Sequence, residues 1–248
     1  MKSRPRFLLP ALAGLASFVV APTYASAAPE DASAPIPKTG DDTFIHKHES
    51  FLARAQSGPI GVLFLGDSIT EGWAMAPYIW EHYFGRYQPA NFGISGDRTQ
   101  HVLWRIEHGE LIGINPKVVV LLLGTNNSGE NTGEQIAAAD KKIVNLIRKK
   151  LPAAKILLLA IFSRGPRIDK NGLPEPWAER MAAIDTANAA LAKLDDGQMV
   201  RFLNINPHFL GNDGTIPNII MPDQLHLNAA GYQLWAGAIE NPLAEMMK

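Results

Sequence analysis

Five short apolar runs alternate with stretches of helical periodicity along this chain. Ile60-Gly61-Val62-Leu63-Phe64-Leu65 is near-continuous and reads as a buried strand. Pro89–Gly93 is a shorter run, Lys117–Leu123 and Lys155–Phe162 are strong Val/Leu/Ile runs, and Met199–Ile205 alternates weakly. Helical patterns fill the intervals at 41–56, 76–84, 98–109, 132–150 and 178–195, with a last one at 228–247. In the first of these, Phe44, Ile45, His48, Phe51 and Leu52 fall at helical spacing, and Asp41 or Asp42 is the expected N-cap. Apolar strands alternating with amphipathic helices predict an α/β fold: a mostly parallel five-stranded sheet covered on both faces, in three α/β/α layers. No internal repeat and no second domain is evident, so residues 41–248 read as one domain.

The segment before it is different. Lys2, Arg4 and Arg6 precede an apolar stretch from Phe7 to Val20 that leads to Ala25-Ser26-Ala27. A basic start, a short apolar core and a small-residue site predict an export signal over residues 1–27, cleaved after Ala27 or Ala28. No stable membrane insertion is expected after cleavage. Residues 28–40 are rich in proline and small residues and read as a disordered or extended leader. Cleavage would move the formal net charge from −1 to −4, since Lys2, Arg4 and Arg6 are lost and no acidic residue goes with them. That balance gives no case for nucleic acid. The absence of cysteine excludes disulfides, thiolate metal sites and cysteine nucleophiles, and with the export signal it points to a bacterial periplasmic or secreted protein.

Candidate chemistry gathers where strands end. Gly66-Asp67-Ser68 closes the first strand, Asn91-Phe92-Gly93-Ile94-Ser95-Gly96 the second, and Gly124-Thr125-Asn126-Asn127 the third. Asp223-Gln224-Leu225-His226 precedes the last helix. In open α/β sheets ligands bind beyond the carboxyl ends of the strands. Acyl transfer needs a nucleophile, a base, a group that orients the base, and donors for the oxyanion. Ser68 fits the nucleophile, His226 the base and Asp223 its orienting carboxylate. The N–H of Ser68, the N–H of Gly93 and the carboxamide of Asn126 fit the oxyanion donors. No cofactor and no metal is called for. His46 and His48 lack an obvious third ligand and point apart on a helix. Asn126-Asn127-Ser128 also matches a glycosylation sequon, a reading that an oxyanion role excludes. Among the tryptophans, Trp73 lies near the nucleophile and is a candidate substrate-binding residue.

With these four blocks the chain resembles the SGNH (GDSL) hydrolases, named for catalytic Ser, Gly, Asn and His, here matched by Ser68, Gly93, Asn126 and His226 with Asp223 in the Asp-x-x-His position. Within that superfamily it looks most like the catalytic subunits of platelet-activating-factor acetylhydrolase Ib. That likeness rests on Asn91–Thr99, His101–Arg105, Gly109-Glu110-Leu111, Asn115–Val120 and Gly124–Asn127. The resemblance implies a flavodoxin-like fold and cofactor-free hydrolysis of short acyl esters. The expected partner is a small-molecule or polysaccharide acyl ester. Those subunits are intracellular, so their phospholipid is not carried over to a chain with an export signal. Two rival expectations stand beside an acetylesterase: a lysophospholipase or thioesterase for longer acyl chains, and a non-catalytic carbohydrate- or lipid-binding module on the same fold. The oligomeric state is left open, a homodimer included.

Overall fold

The computed structural model describes residues 1, 30–169 and 171–248. The expected export signal and the first two leader residues therefore lie outside the described residues, apart from Met1. No helix among the described residues is long and apolar enough to cross a membrane.

The strands are β1 (Val62–Gly66), β2 (Pro89–Gly93), β3 (Val118–Leu122), β4 (Lys155–Leu159) and β5 (Val200–Leu203), all parallel and ordered β2-β1-β3-β4-β5. Period-two alternation sends their side chains to two separate cores. Leu63, Leu65, Val119, Leu121, Ile156 and Leu158 meet one layer of helices: α1 (Asp42–Gln56), α4 (Thr99–Arg105), α5 (Gly133–Lys150) and α6 (Trp177–Leu191). Val62, Phe64, Val118, Val120, Leu157 and Leu159 meet the other layer, built from α2 (Ser68–Glu71), α3 (Pro77–Phe84) and α7 (Ala229–Met246). This is the expected three-layer α/β/α, flavodoxin-like arrangement of an SGNH hydrolase. Strand order reverses between β1 and β3, which places the exits of β2, β1 and β3 side by side at the topological switch point.

Capping sets the helix starts. Asp41, rather than Asp42, caps α1 by accepting from Phe44 N–H at 3.1 Å, and Thr132 and Gln135 form a reciprocal capping box on α5. Two elements are shorter than their patterns. The helix expected over 98–109 ends regularly at Arg105, because His108 and Gly109 (φ 113°) leave helical geometry. The strand expected to Phe162 leaves the sheet at Leu159, although Ala160, Ile161 and Phe162 remain buried.

The leader is corrected over its described part. Residues 30–40 run across the domain, with Ala32 buried and backbone carbonyls taken by side chains of the folded body. Thr99 Oγ1 donates to Ala32 O (2.7 Å), Asn131 Nδ2 to Glu30 O (2.9 Å) and Lys142 Nζ to Ser33 O (2.8 Å). Composition failed here because this segment is held by polar groups of the domain rather than by apolar area of its own.

Candidate active site

The chain leaves β1 at Gly66 and turns at once into α2. Asp67 caps this helix, its Oδ1 accepting from Ile69 N–H at 2.9 Å. Ser68 is thus the first residue of the helix, and its N–H has no acceptor within it. Tyr232 of α7 pins the turn by donating to Ile69 O at 2.8 Å. Burial raises the Asp67 carboxyl to about 7, the Ile69 N–H offsetting part of that and the nearby charge of Asp97 adding to it.

Ser68 Oγ and His226 Nε2 lie 2.9 Å apart although 158 residues separate them in sequence. His226 Nδ1 is 2.7 Å from Asp223 Oδ2, and Asp223 Oδ1 accepts from the N–H of Leu225 (3.1 Å) and of His226 (2.7 Å). A carboxylate only accepts, so Nδ1 carries the proton and Nε2 is left to accept from the serine hydroxyl. Partial burial pushes Asp223 upward, but the two His226 hydrogen bonds and the charges of His226 and Arg167 outweigh it and hold the carboxyl below its ordinary value.

Besides Ser68 N–H, the expected oxyanion donors lie at or just past the ends of β2 and β3. Asn126 Nδ2 donates to Asp97 O at 2.8 Å, and its second amide proton has no acceptor among the described residues. The neighbouring Asn127 is buried: its Oδ1 accepts from Thr99 N–H, and its Nδ2 donates to Gln100 Oε1 and Asn131 Oδ1. Glu71 of α2 reaches across to the β2 loop, its Oε2 accepting from Ser95 N–H (2.6 Å) and Ser95 Oγ (2.5 Å).

Two sequence expectations are corrected. Gly93 is not an open donor: it ends β2, and its N–H is given to Asn91 Oδ1 at 2.9 Å. A Cβ there would come within 2.2 Å of Glu71 N, so its missing side chain admits the backbone of α2, not a substrate. Three residues on, Gly96 turns the loop at φ 72°, and among the described residues its N–H has no acceptor. The sequence signal was present, since Gly96 stands beyond the strand whereas Gly93 stands in it. Trp73 is likewise no substrate platform. It is 1% exposed and packs with Phe64, Trp80, Phe84, Tyr232 and Trp235, because the 3-10 turn over Gly72–Met75 rotates it onto the sheet. Exposed Met75 takes the outward place and joins Pro222, Asp223, His226 and Leu227 around an apolar pocket of about 250 Å³. His46 and His48 do point apart: His46 is exposed, while buried His48 faces Glu110 Oε1 at 2.9 Å.

Behind the oxyanion loops lies a buried ionic chain. Arg105 bridges Asp97 Oδ2 (2.6 Å) and Glu110 (3.0 Å) and donates to Phe92 O (2.7 Å), and Lys38 reaches Asp97 Oδ1 at 2.9 Å. Burial raises Asp97 even so, against the opposing charges of Arg105 and Lys38. His101 accepts from Arg98 N–H through Nδ1 and is held down to about 3 by burial and by the charges of Lys38, Arg98 and Arg105.

A parallel α/β sheet with a serine, a histidine and a carboxylate joined at the switch point defines a class of carboxylic ester hydrolases. The chain belongs to the GDSL-like lipase/acylhydrolase family, whose pattern matches residues 64–234. It is 36% identical over 209 residues to the human platelet-activating factor acetylhydrolase IB subunit alpha1, covering 84% of this chain and 86% of that protein. To the mouse alpha2 subunit it is 38% identical over 210 residues, covering 84% and 85%. Its fold is that of a GDSL-like lipase from Bacteroides thetaiotaomicron, with a TM-score of 0.62, 21% identity and coverage of 80% and 97% of the two chains.

Proposed function

We propose that this chain is an exported serine esterase that cleaves short-chain esters, acetyl esters above all, through an acyl-enzyme. The observation that carries this reading is the pair of hydrogen bonds running from Ser68 Oγ through His226 to Asp223. Ser68 attacks the ester carbonyl while His226 Nε2 takes its proton, and Asp223 stabilises the imidazolium that forms. The oxyanion is met by Ser68 N–H, Gly96 N–H and the free proton of the Asn126 carboxamide. His226 then protonates the departing alcohol, leaving the acyl group on Ser68. A water activated by His226 releases the acid and restores the serine. The acetyl preference is supported by the acetylhydrolase relatives, and export by the basic and apolar start of the chain.

Purified protein should hydrolyse p-nitrophenyl acetate and take up a fluorophosphonate on Ser68. Ser68→Ala with near wild-type turnover would sink the assignment. A series from acetyl to palmitoyl esters separates the short-chain reading from the longer-chain one, with a steep loss expected beyond roughly four carbons. Export is tested by the mass of protein recovered from the periplasm or medium of a bacterial host. A chain still beginning at Met1 would refute it.

A further inference from the structure

Residues 163–169 and 171–176 fold back on one another and are latched onto the loop that carries Asp223 and His226. Ile168 and Pro174 pair between the two stretches, and Glu175 N–H donates to Arg167 O at 2.9 Å. Their base is fixed by the Arg164–Glu175 ion pair and by Trp177 Nε1, which donates to Arg164 O at 2.5 Å. Two contacts then cross to the histidine loop. Gly165 N–H donates to Gln224 O at 2.8 Å, where Gln224 is held at φ 61°, and Arg167 Nη2 sits 3.1 Å from Asp223 Oδ2. That oxygen is the one facing His226 Nδ1.

We propose that Arg167 is a positioning residue for the His226–Asp223 pair, holding the same carboxylate oxygen that meets the imidazole and competing with it for that oxygen's charge. The reading rests on Ser68 and His226 acting as nucleophile and base. The geometry gives Arg167 two effects. It restricts rotation of Asp223, whose Oδ1 is already occupied by two backbone N–H groups, so the carboxylate has one orientation left. It also places a cation on the oxygen that His226 Nδ1 meets, which disfavours a second cation on the imidazole. The other charges around this pair are Arg164 and Glu175 of the same loop and Arg180 of α6, while α2 contributes the neutral Ser68 hydroxyl. Arg164 and Arg180 both face Glu175, so Arg167 is the arginine directed at Asp223.

The sign of the expected effect follows. Neutral His226 is the active base, so the acid limb of kcat/KM reports its protonation in the free enzyme. Without Arg167 the imidazolium is better stabilised, and the limb moves to higher pH. Arg167→Met should shift it upward by about half a unit to one unit, because charges this exposed are well screened. kcat should fall several-fold with KM little changed, and Arg167→Lys should return the limb towards the wild-type position.

The measurement is the pH profile of p-nitrophenyl acetate hydrolysis by the wild-type chain, Arg167→Met, Arg167→Lys and Ser68→Ala, each with its thermal midpoint. If Arg167→Met melts with the wild-type chain and shares its acid limb, the inference is overturned. The same holds if Lys fails to restore the limb. Should Ser68→Ala retain activity, the acyl-enzyme reading itself fails, which separates the two outcomes.

Discussion

Ser68 stands between two supports of opposite construction. On the histidine side, Asp223 and His226 ride a loop, their side chains 43% and 37% exposed, and their partners are mostly backbone N–H groups and one loop arginine. On the oxyanion side, the loops after β2 and β3 rest on Asp97, Arg105 and Glu110, whose side chains are all fully buried. The two sides ask different things of the protein. In the proposed mechanism the base must change charge during turnover, which exposure to water makes inexpensive. Oxyanion donors must stay still while charge develops before them, and a buried, fully bonded support supplies that preorganisation. Substitutions on the histidine side should therefore change rate and pH dependence, whereas those behind the oxyanion loops should change stability first.

The strongest test of that contrast starts at its centre. Ser68→Ala should lower turnover by about 10⁴-fold or more while leaving the thermal midpoint close to wild type, read by p-nitrophenyl acetate assay and calorimetry. Arg105→Met should do the reverse. It removes the guanidinium that joins two buried carboxylates, leaving Asp97 with Lys38 alone and Glu110 with His48 alone, and breaking such a group costs about 3–5 kcal/mol. Urea unfolding measures this, and a loss below about 1 kcal/mol, the worth of a surface pair, would break the comparison. Asn126→Ala removes a donor from the same side and leaves the ion pairs in place, losing only the hydrogen bond to Asp97 O. It should lower kcat by about 10²–10³-fold with a smaller effect on stability. A change confined to KM would argue against an oxyanion role.

The smallest expected effect concerns pH. His101 is held at about 3 when folded and returns to about 6.5 when unfolded, so between these values the unfolded chain binds the proton and the folded chain refuses it. Stability should fall as pH drops below about 6.5, by at most about 1.4 kcal/mol per unit from this residue. Asp67 works in the opposite sense. Its folded value of about 7 lies above the unfolded one, so its contribution is present at low pH and lost as pH rises towards 7. Comparing His101→Gln with the wild-type chain isolates the first effect: the drop in unfolding free energy from pH 7 to pH 5, read by urea unfolding, should shrink in the variant by at most about 2 kcal/mol. An unchanged drop would remove His101 from the account.

Much of the arrangement was legible beforehand. The Val/Leu run of β3, the capping pair Thr132 and Gln135 and the periodicity of α1 are local signals, and each local preference agrees with the fold. That Ser68, His226 and Asp223 come together was readable because residues just past strand ends and before the last helix gather at the carboxyl edge of an open α/β sheet. The errors fell where neighbours decide. Whether Gly93 or Gly96 offers an open N–H depends on where β2 stops and on Asn91 turning back to bond the strand. Whether Trp73 faces substrate or core depends on one 3-10 turn. The polar anchoring of residues 30–40 depends on acceptors and donors more than sixty residues away.

By itself, then, the sequence determined the layers, the parallel sheet and the residue types brought to its switch point, because strand and helix periods and turn residues are properties of a few consecutive positions. Tertiary structure alone decided which glycine carries a free N–H, which tryptophan is core, and that Arg167 faces the carboxylate behind His226. Those are matters of contact between segments far apart in the chain, set by packing and hydrogen-bond satisfaction, and no local pattern encodes them.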